Sequence, residues 1–297
     1  MINSSCSTTL AKKIYEEIFY LEPLQDKIDL DGYCEKKLKI EFPNLSDPEI
    51  ADELENILEK VKFRINKRKE YCEKQCIAPE YELAEYPPNL LLHYSFKYNE
   101  PPLLSFLRKQ NRQVLKGINE MSWDSFEYLC KHLLEINGVK PLTLTKRNQE
   151  GIDFCGLYDI GSYTTYSSSM IIPKTFTIKI VGQVKHYPIE KIKPREIKSF
   201  STYCDDVKNE KERVIKKLPT WFNEAKRPVL GVFITLSAFT RGTIGHSENE
   251  WIVLRDGEQV VEDIIKSPYS ENWVKSIGEK LTFDKESFLK SFEKNNT

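Results

Sequence analysis

Residues 229–236, VLGVFITL, are apolar at almost every position. A strand solvated on one face alternates apolar and polar residues, so an unbroken run of this kind belongs deep in a sheet covered on both faces. The chain must therefore supply neighbouring strands and covering helices, and the flanking sequence does. Residues 142–145, 152–157 and 176–184 (FTIKIVGQV) read as strands before the run, and 251–254 as a strand after it. Residues 122–138 read as a helix with Ser122 as N-cap and Gly138 as its stop. Phe126, Leu129, Leu133, Leu134 and Ile136 form its apolar stripe. Further helices are expected over 194–203 and 258–265. Helix, three strands, helix, strand, strand, helix describes an α/β fold with a mixed central sheet flanked by helices.

The front of the chain has another character and is expected to be mainly helical. Its clearest helix begins at Ser46, Asp47, Pro48 and Glu49, where Ser46 and Glu49 make a capping box and Pro48 sits in the first turn. Ile50, Leu54, Ile57, Leu58, Val61 and Ile65 follow at helical spacing. Residues 78–102 carry Pro79, Pro87, Pro88, Pro101 and Pro102, and paired prolines stop helices and stiffen linkers. The expected division is a helical N-terminal domain, 1–100, for recognition, sensing or partner binding, and a second domain, 101–297, with a helical C-terminal tail. A helix over 103–121 would bridge them. Residues 1–100 hold 14 Lys+Arg against 20 Asp+Glu, and residues 101–297 hold 30 against 25. Nucleic acid, whose backbone is recognised first by charge, would therefore meet the back part.

Several classes drop out. No apolar run reaches the roughly 20 residues of a membrane span, and the N-terminus, MINSSCSTTLAKKIYEE, lacks a signal peptide's apolar stretch. A cytoplasmic location, with no membrane partner, is expected. Seven irregularly spaced cysteines read as free thiols, and Cys72 and Cys76 lack the companions a zinc site needs. There is no Walker loop, G-x-S-x-G or dinucleotide fingerprint.

One constellation carries chemistry. Glu150, Gly151, Ile152 and Asp153 precede a strand, and Gln183, Val184 and Lys185 lie on the next. Residues i and i+2 of a strand face one way, so Gln183 and Lys185 project together, and a neighbouring strand can bring Asp153 to them. Phosphodiester hydrolysis needs a cation on the phosphate, an activated water and compensation for the charge of the transition state. A carboxylate is a hard oxygen ligand for Mg²⁺, and an ammonium can orient water and offset negative charge. Spacing alone also fits an ordinary polar strand face.

From Met121 to about Ile265 the chain resembles the Mrr-like restriction endonuclease family of the PD-(D/E)xK nuclease superfamily. Four segments carry the likeness in order: the helix WDSFEYLCKHLLEING with Trp123, Phe126 and Glu127, then QEGID, then GQVKHY, then VFITLSAFTRGT followed by WIVLRDGEQVVEDII. The resemblance implies a restriction-endonuclease-like fold with Asp153, Gln183, Lys185 and Glu127 as catalytic residues. It implies metal binding by Asp153, Gln183 and the carbonyl of Val184, with Glu127 able to complete the shell. Mg²⁺ is the expected cofactor, with Mn²⁺ able to substitute. Because glutamine is a neutral ligand, a single, weakly held metal is expected. Double-stranded DNA is the expected substrate, cut in bacterial defence against foreign DNA. A homodimer or larger assembly would supply two cuts, and the front domain a protein partner. Arg241, Thr240 and His186 are candidate DNA contacts. Two departures stand out: Gln149 where the family often has an aspartate, and a long polar segment over 158–174. A catalytically silent DNA-binding or adaptor subunit, and a nuclease acting on RNA or branched DNA, remain alternatives.

Overall fold

Helix α1 (Ser4–Tyr20) buries Leu10, Ala11, Ile14 and Ile18 at helical spacing. Strand β1 (Lys27–Asp29) runs directly into α2 (Leu30–Glu41), where the Asp29 carboxylate accepts the Gly32 N–H at 3.3 Å as N-cap. The long α3 (Asp47–Lys74) starts where expected, but only half of the box forms: the Ser46 N–H and Oγ both donate to Glu49 Oε2, at 3.0 and 2.6 Å, so the hydroxyl does not cap the Glu49 N–H. Its Ile50, Ile57, Val61 and Ile65 are buried, and Leu54 and Leu58 are half-buried against the core of α1 and α2. In this computed structural model the described residues are 4–20, 25–74, 79–86, 89–94, 102–145, 151–160, 176–187, 190–224, 226–277 and 280–292.

The proline-rich stretch read as a linker carries strands. β2 (Tyr81–Tyr86) and β3 (Asn89–Tyr94) pair antiparallel, and β1 completes a three-stranded sheet in the order β1-β3-β2. Tyr81, Leu90 and Leu92 join the helical core. Pro87 and Pro88 fall in the sequence between the two strands, and with Pro101 they lie outside the described residues. The single helix expected over 103–121 is two, α4 (Pro102–Lys109) and α5 (Asn111–Asn119). Contacts divide the chain into two compact units, Met1–Gln113 and Val114–Thr297.

In the second unit, α5 is followed by α6 (Trp123–Ile136), capped by Ser122 Oγ, which accepts the Ser125 N–H at 3.1 Å. Phe126, Leu129 and Leu133 are buried, and Gly138 ends the element at φ 92°, a left-handed conformation open to glycine. There follow β4 (Val139–Leu144), β5 (Phe154–Asp159), β6 (Thr177–Lys185), α7 (Pro194–Lys208), the short α8 (Glu212–Ile215) and α9 (Thr220–Glu224), and β7 (Val229–Thr235). After β7 come α10 (Arg241–Asn249), β8 (Ile252–Arg255) and α11 (Gly257–Ile265). The five strands make one mixed sheet in the order β4-β5-β6-β7-β8, antiparallel up to β6 and parallel from β6 to β8. The apolar run is thus an inner strand with parallel neighbours, as its composition requires. Cys155, Val181, Phe233 and Ile252 of the sheet pack with Ile197, Phe200 and Cys204 of α7 in one core.

Helix α10 was not legible in the sequence: it carries Gly242 and Gly245 and no apolar stripe. The tail holds a hairpin, β9 (Val274–Ile277) with β10 (Lys280–Phe283), before its helix α12 (Lys285–Ser291). Gln149, and most of the polar segment over 158–174, lie outside the described residues. Six of the cysteines are described, and all are free thiols. Among the described residues no helix is long and apolar enough to cross a membrane.

Candidate active site

Strands β5 and β6 run antiparallel with Phe154 opposite Gly182. A Cβ on Gly182 would stand 1.7 Å from the Phe154 ring, so only glycine fits here. Just before β5 begins, the backbone of Asp153 is held from two sides. Its N–H donates to Gly182 O at 2.8 Å, and its carbonyl accepts from the Thr145 N–H at 2.9 Å. Its carboxylate then reaches across to β6, where Oδ2 accepts the Val184 N–H at 2.7 Å. A side chain thus meets a backbone donor past the end of the β5 ladder. The other carboxylate oxygen has no hydrogen-bond partner among the described residues. Burial raises the Asp153 pKa, opposed by the Val184 N–H and by the charge of Lys185.

On β6, Gln183 and Val184 are buried and Lys185 is half-buried. Strand alternation turns Gln183 and Lys185 to one face and Val184 to the other. The carbonyl of Val184 leaves the strand on the same edge as its N–H, which is the edge nearest Asp153. Lys185 Nζ lies 5.9 Å from the ring centre of Trp123, in the first turn of α6, and the Trp123 indole N–H donates to Glu127 Oε1. Trp123 and Glu127 are four apart and share a helix face. The indole therefore links the lysine to the helix carboxylate, a role the sequence reading missed although the W-x-x-F-E spacing contains it. The carboxylates of Glu127, Asp263 and Asp153 all act on the thiol of the buried Cys130, whose pKa burial first and then these charges hold well above the usual value.

The parallel pairing sets Gln183 beside Phe233 and Lys185 beside Thr235. Beyond the strand ends the two loops are stitched together. Ser237 Oγ donates to Glu190 O at 2.6 Å, the Thr240 N–H to Ile192 O at 3.2 Å, and Thr243 Oγ1 to Ile192 O at 2.9 Å. Thr240 is the N-cap of α10, its Oγ1 accepting the Thr243 N–H at 3.4 Å, and Arg241 is exposed in the first turn. The His186 ring packs 5.3 Å from that of Phe126, with Nε2 3.4 Å from Ile118 O. Asp153, Gln183 and Lys185 thus share one end of the sheet, and Trp123 ties Glu127 to Lys185. Thr240 and Arg241 begin the helix that follows β7, and His186 lies against α6.

The donor set suits a hard cation: a half-buried carboxylate with one oxygen unengaged among the described residues, an amide oxygen and a main-chain carbonyl. Among the described residues no group of three or more His, Cys, Asp or Glu is placed to hold a metal. Neutral oxygens would have to complete the shell of any cation held here.

A five-stranded mixed sheet flanked by helices, with these side chains at one end, defines a restriction-endonuclease fold. Residues 118–264 match the Mrr-type catalytic domain family, described as restriction endonuclease, and this part of the chain belongs to it. No curated protein matches the sequence. Among solved structures, the MspJI restriction endonuclease in complex with a 27-mer oligonucleotide is 16% identical, with 59% of this chain and 35% of that one covered and a TM-score of 0.35. The restriction endonuclease FokI is 11% identical over 88% of this chain and 43% of its own, TM-score 0.34. The DNA modification-dependent restriction endonuclease AspBHI is 8% identical over 62% of this chain and 55% of its own, TM-score 0.34. The chain thus spans roughly a third to just over a half of the length of these proteins.

Proposed function

We propose that the chain is an endonuclease that uses Mg²⁺ or Mn²⁺ to hydrolyse phosphodiester bonds of double-stranded DNA, in defence against foreign DNA. The observation that carries the reading is the placement of the Asp153 carboxylate across the Val184 N–H, at the sheet end that also holds Lys185. Asp153, the carbonyl of Val184 and the amide oxygen of Gln183 would hold the metal, with Glu127 available to its hydration shell. The cation, when bound, polarises the scissile phosphate and offsets the charge that develops on it. Lys185, steadied over the Trp123 ring, orients the attacking water and faces the growing negative charge. Arg241 serves as a phosphate contact, and a second copy of the chain supplies the second cut. A cytoplasmic location and a protein partner on the front unit complete the proposal.

The test is cleavage of plasmid DNA by the full chain. Mg²⁺ should support cutting and EDTA should stop it. Lys185→Ala should cut at least about a hundredfold more slowly, the order of effect when a group stabilising the transition state is removed. It should still bind duplex DNA in a gel-shift assay. Full activity in that variant, or cutting undiminished by EDTA, rejects the mechanism.

A further inference from the structure

A second concentration of charge lies at the other end of β6. Lys179 and Lys185 are six residues apart on that strand, about 20 Å at 3.3 Å per residue, so the two places are distinct. A cavity of about 320 Å³ opens beside Lys179, between the C-terminal end of α7 and the start of β7. Lys179, Lys208, Glu210, Lys226 and Arg227 line it, four cations against one carboxylate. Lys208 is partly engaged by Asp205 at 3.1 Å. Lys179, Lys226 and Arg227 make no ion pair among the described residues.

Lys179 is the unusual member. It is only 3% exposed, its Nζ lies 4.9 Å from the ring centre of Phe222, and its main-chain N–H is fixed to Pro228 O at 2.8 Å. Burial lowers its pKa; Glu210 opposes this and Lys226 adds to it. Lysine is almost never buried to this degree without a counter-charge, and a ring face supplies only part of one. Aliphatic residues at this position would extend the core of α7 and α9 at no electrostatic cost, so the cation calls for an anionic partner. The volume equals that of about ten liquid waters, at the lower end of ligand pockets, and suits a compact solute rather than a duplex.

We propose that this cavity binds a small phosphate-bearing anion, of the size of pyrophosphate or a free nucleotide, at a site separate from Asp153 and Lys185. Lys179 is its floor, and Lys226 and Arg227 are its gate. The proposal does not depend on the nuclease reading.

Isothermal titration of the full chain with inorganic pyrophosphate, in EDTA and at constant ionic strength, tests it. One equivalent should bind wild type and Lys185→Ala equally. Lys226→Ala/Arg227→Ala and Lys179→Met should each weaken binding by roughly tenfold or more, since a hydrogen bond to a charged group is typically worth at least that factor. Should Lys179→Met fail to fold, the double variant at exposed positions decides. An absent signal in wild type, or an equal one in the double variant, overturns the proposal. So does competitive displacement of pyrophosphate by a short DNA duplex, which would assign the cavity to a polynucleotide backbone.

Discussion

Asp153 is held by the fold in a way that works against its own charge. Burial raises its pKa, and the Val184 N–H and Lys185 recover only part of that cost. The sign follows directly. For an acid whose folded pKa is raised, the stabilisation belongs to the protonated form and is lost as pH rises through the folded pKa. Above that point the metal-free protein carries an unfavourable, half-buried carboxylate. Asp153→Asn removes the charge and keeps an oxygen to accept the Val184 N–H. It is expected to melt at a higher temperature than wild type in EDTA at neutral pH. The difference should shrink as pH falls toward the ordinary carboxylate value of 3.8, and plasmid cleavage should be abolished. Calorimetry across pH checks the first part, and an Asn variant that melts below wild type throughout would contradict it.

At the scale of elements, the decisive contact is between β5 and β6. Phe154 lies over Gly182, and the space a methyl group would need is already filled by the ring. Gly182→Ala is expected to cost about 1–3 kcal/mol, the range for overpacking, and to push Asp153 off β6. Urea unfolding and cleavage should fall together. Combining it with Phe154→Leu should recover part of the stability loss, because residues in contact do not add independently. The sequence made β6 legible because it is rich in β-branched residues, and β5, which has none, because the run at 229–236 demanded further strands beside it. Helix α6 was legible through Ser122 and its stripe. What stayed hidden lacked such signals. Helix α10 is built from RGTIGHSEN, polar and glycine-bearing, and is held by the Thr240 cap and by loop contacts to Ile192. The β2–β3 hairpin was masked by its prolines. At the site, Q-x-K spacing and Asp153 were visible, whereas the indole linking Lys185 to Glu127 depends on where α6 packs. No periodicity reports that.

Over the whole molecule, two cores form from different parts of the chain, one from α1, α2, α3 and the β1–β3 sheet, the other on the α7 face of the large sheet. All four tryptophans, Trp123, Trp221, Trp251 and Trp273, belong to the second unit. Tryptophan fluorescence therefore reports that unit alone. Ile57→Ala, at a fully buried position of the first core, is expected to cost about 2–5 kcal/mol there. In urea it should shift the helical signal in circular dichroism and leave the fluorescence midpoint in place. A matching shift in both signals would show that the units unfold as one. The β6 strand gives the larger molecule a further property. Its antiparallel neighbour precedes it in the chain and brings Asp153 to Gln183 and Lys185, and its parallel neighbour follows after α7, α8 and α9 and fixes β6 inside the sheet. Non-local pairings form late, and a nascent chain emerges from its N-terminus. On the proposed nuclease reading, this ordering leaves the triplet on an open-edged pair of strands until β7 (Val229–Thr235) has been made, so the finished site comes late in synthesis.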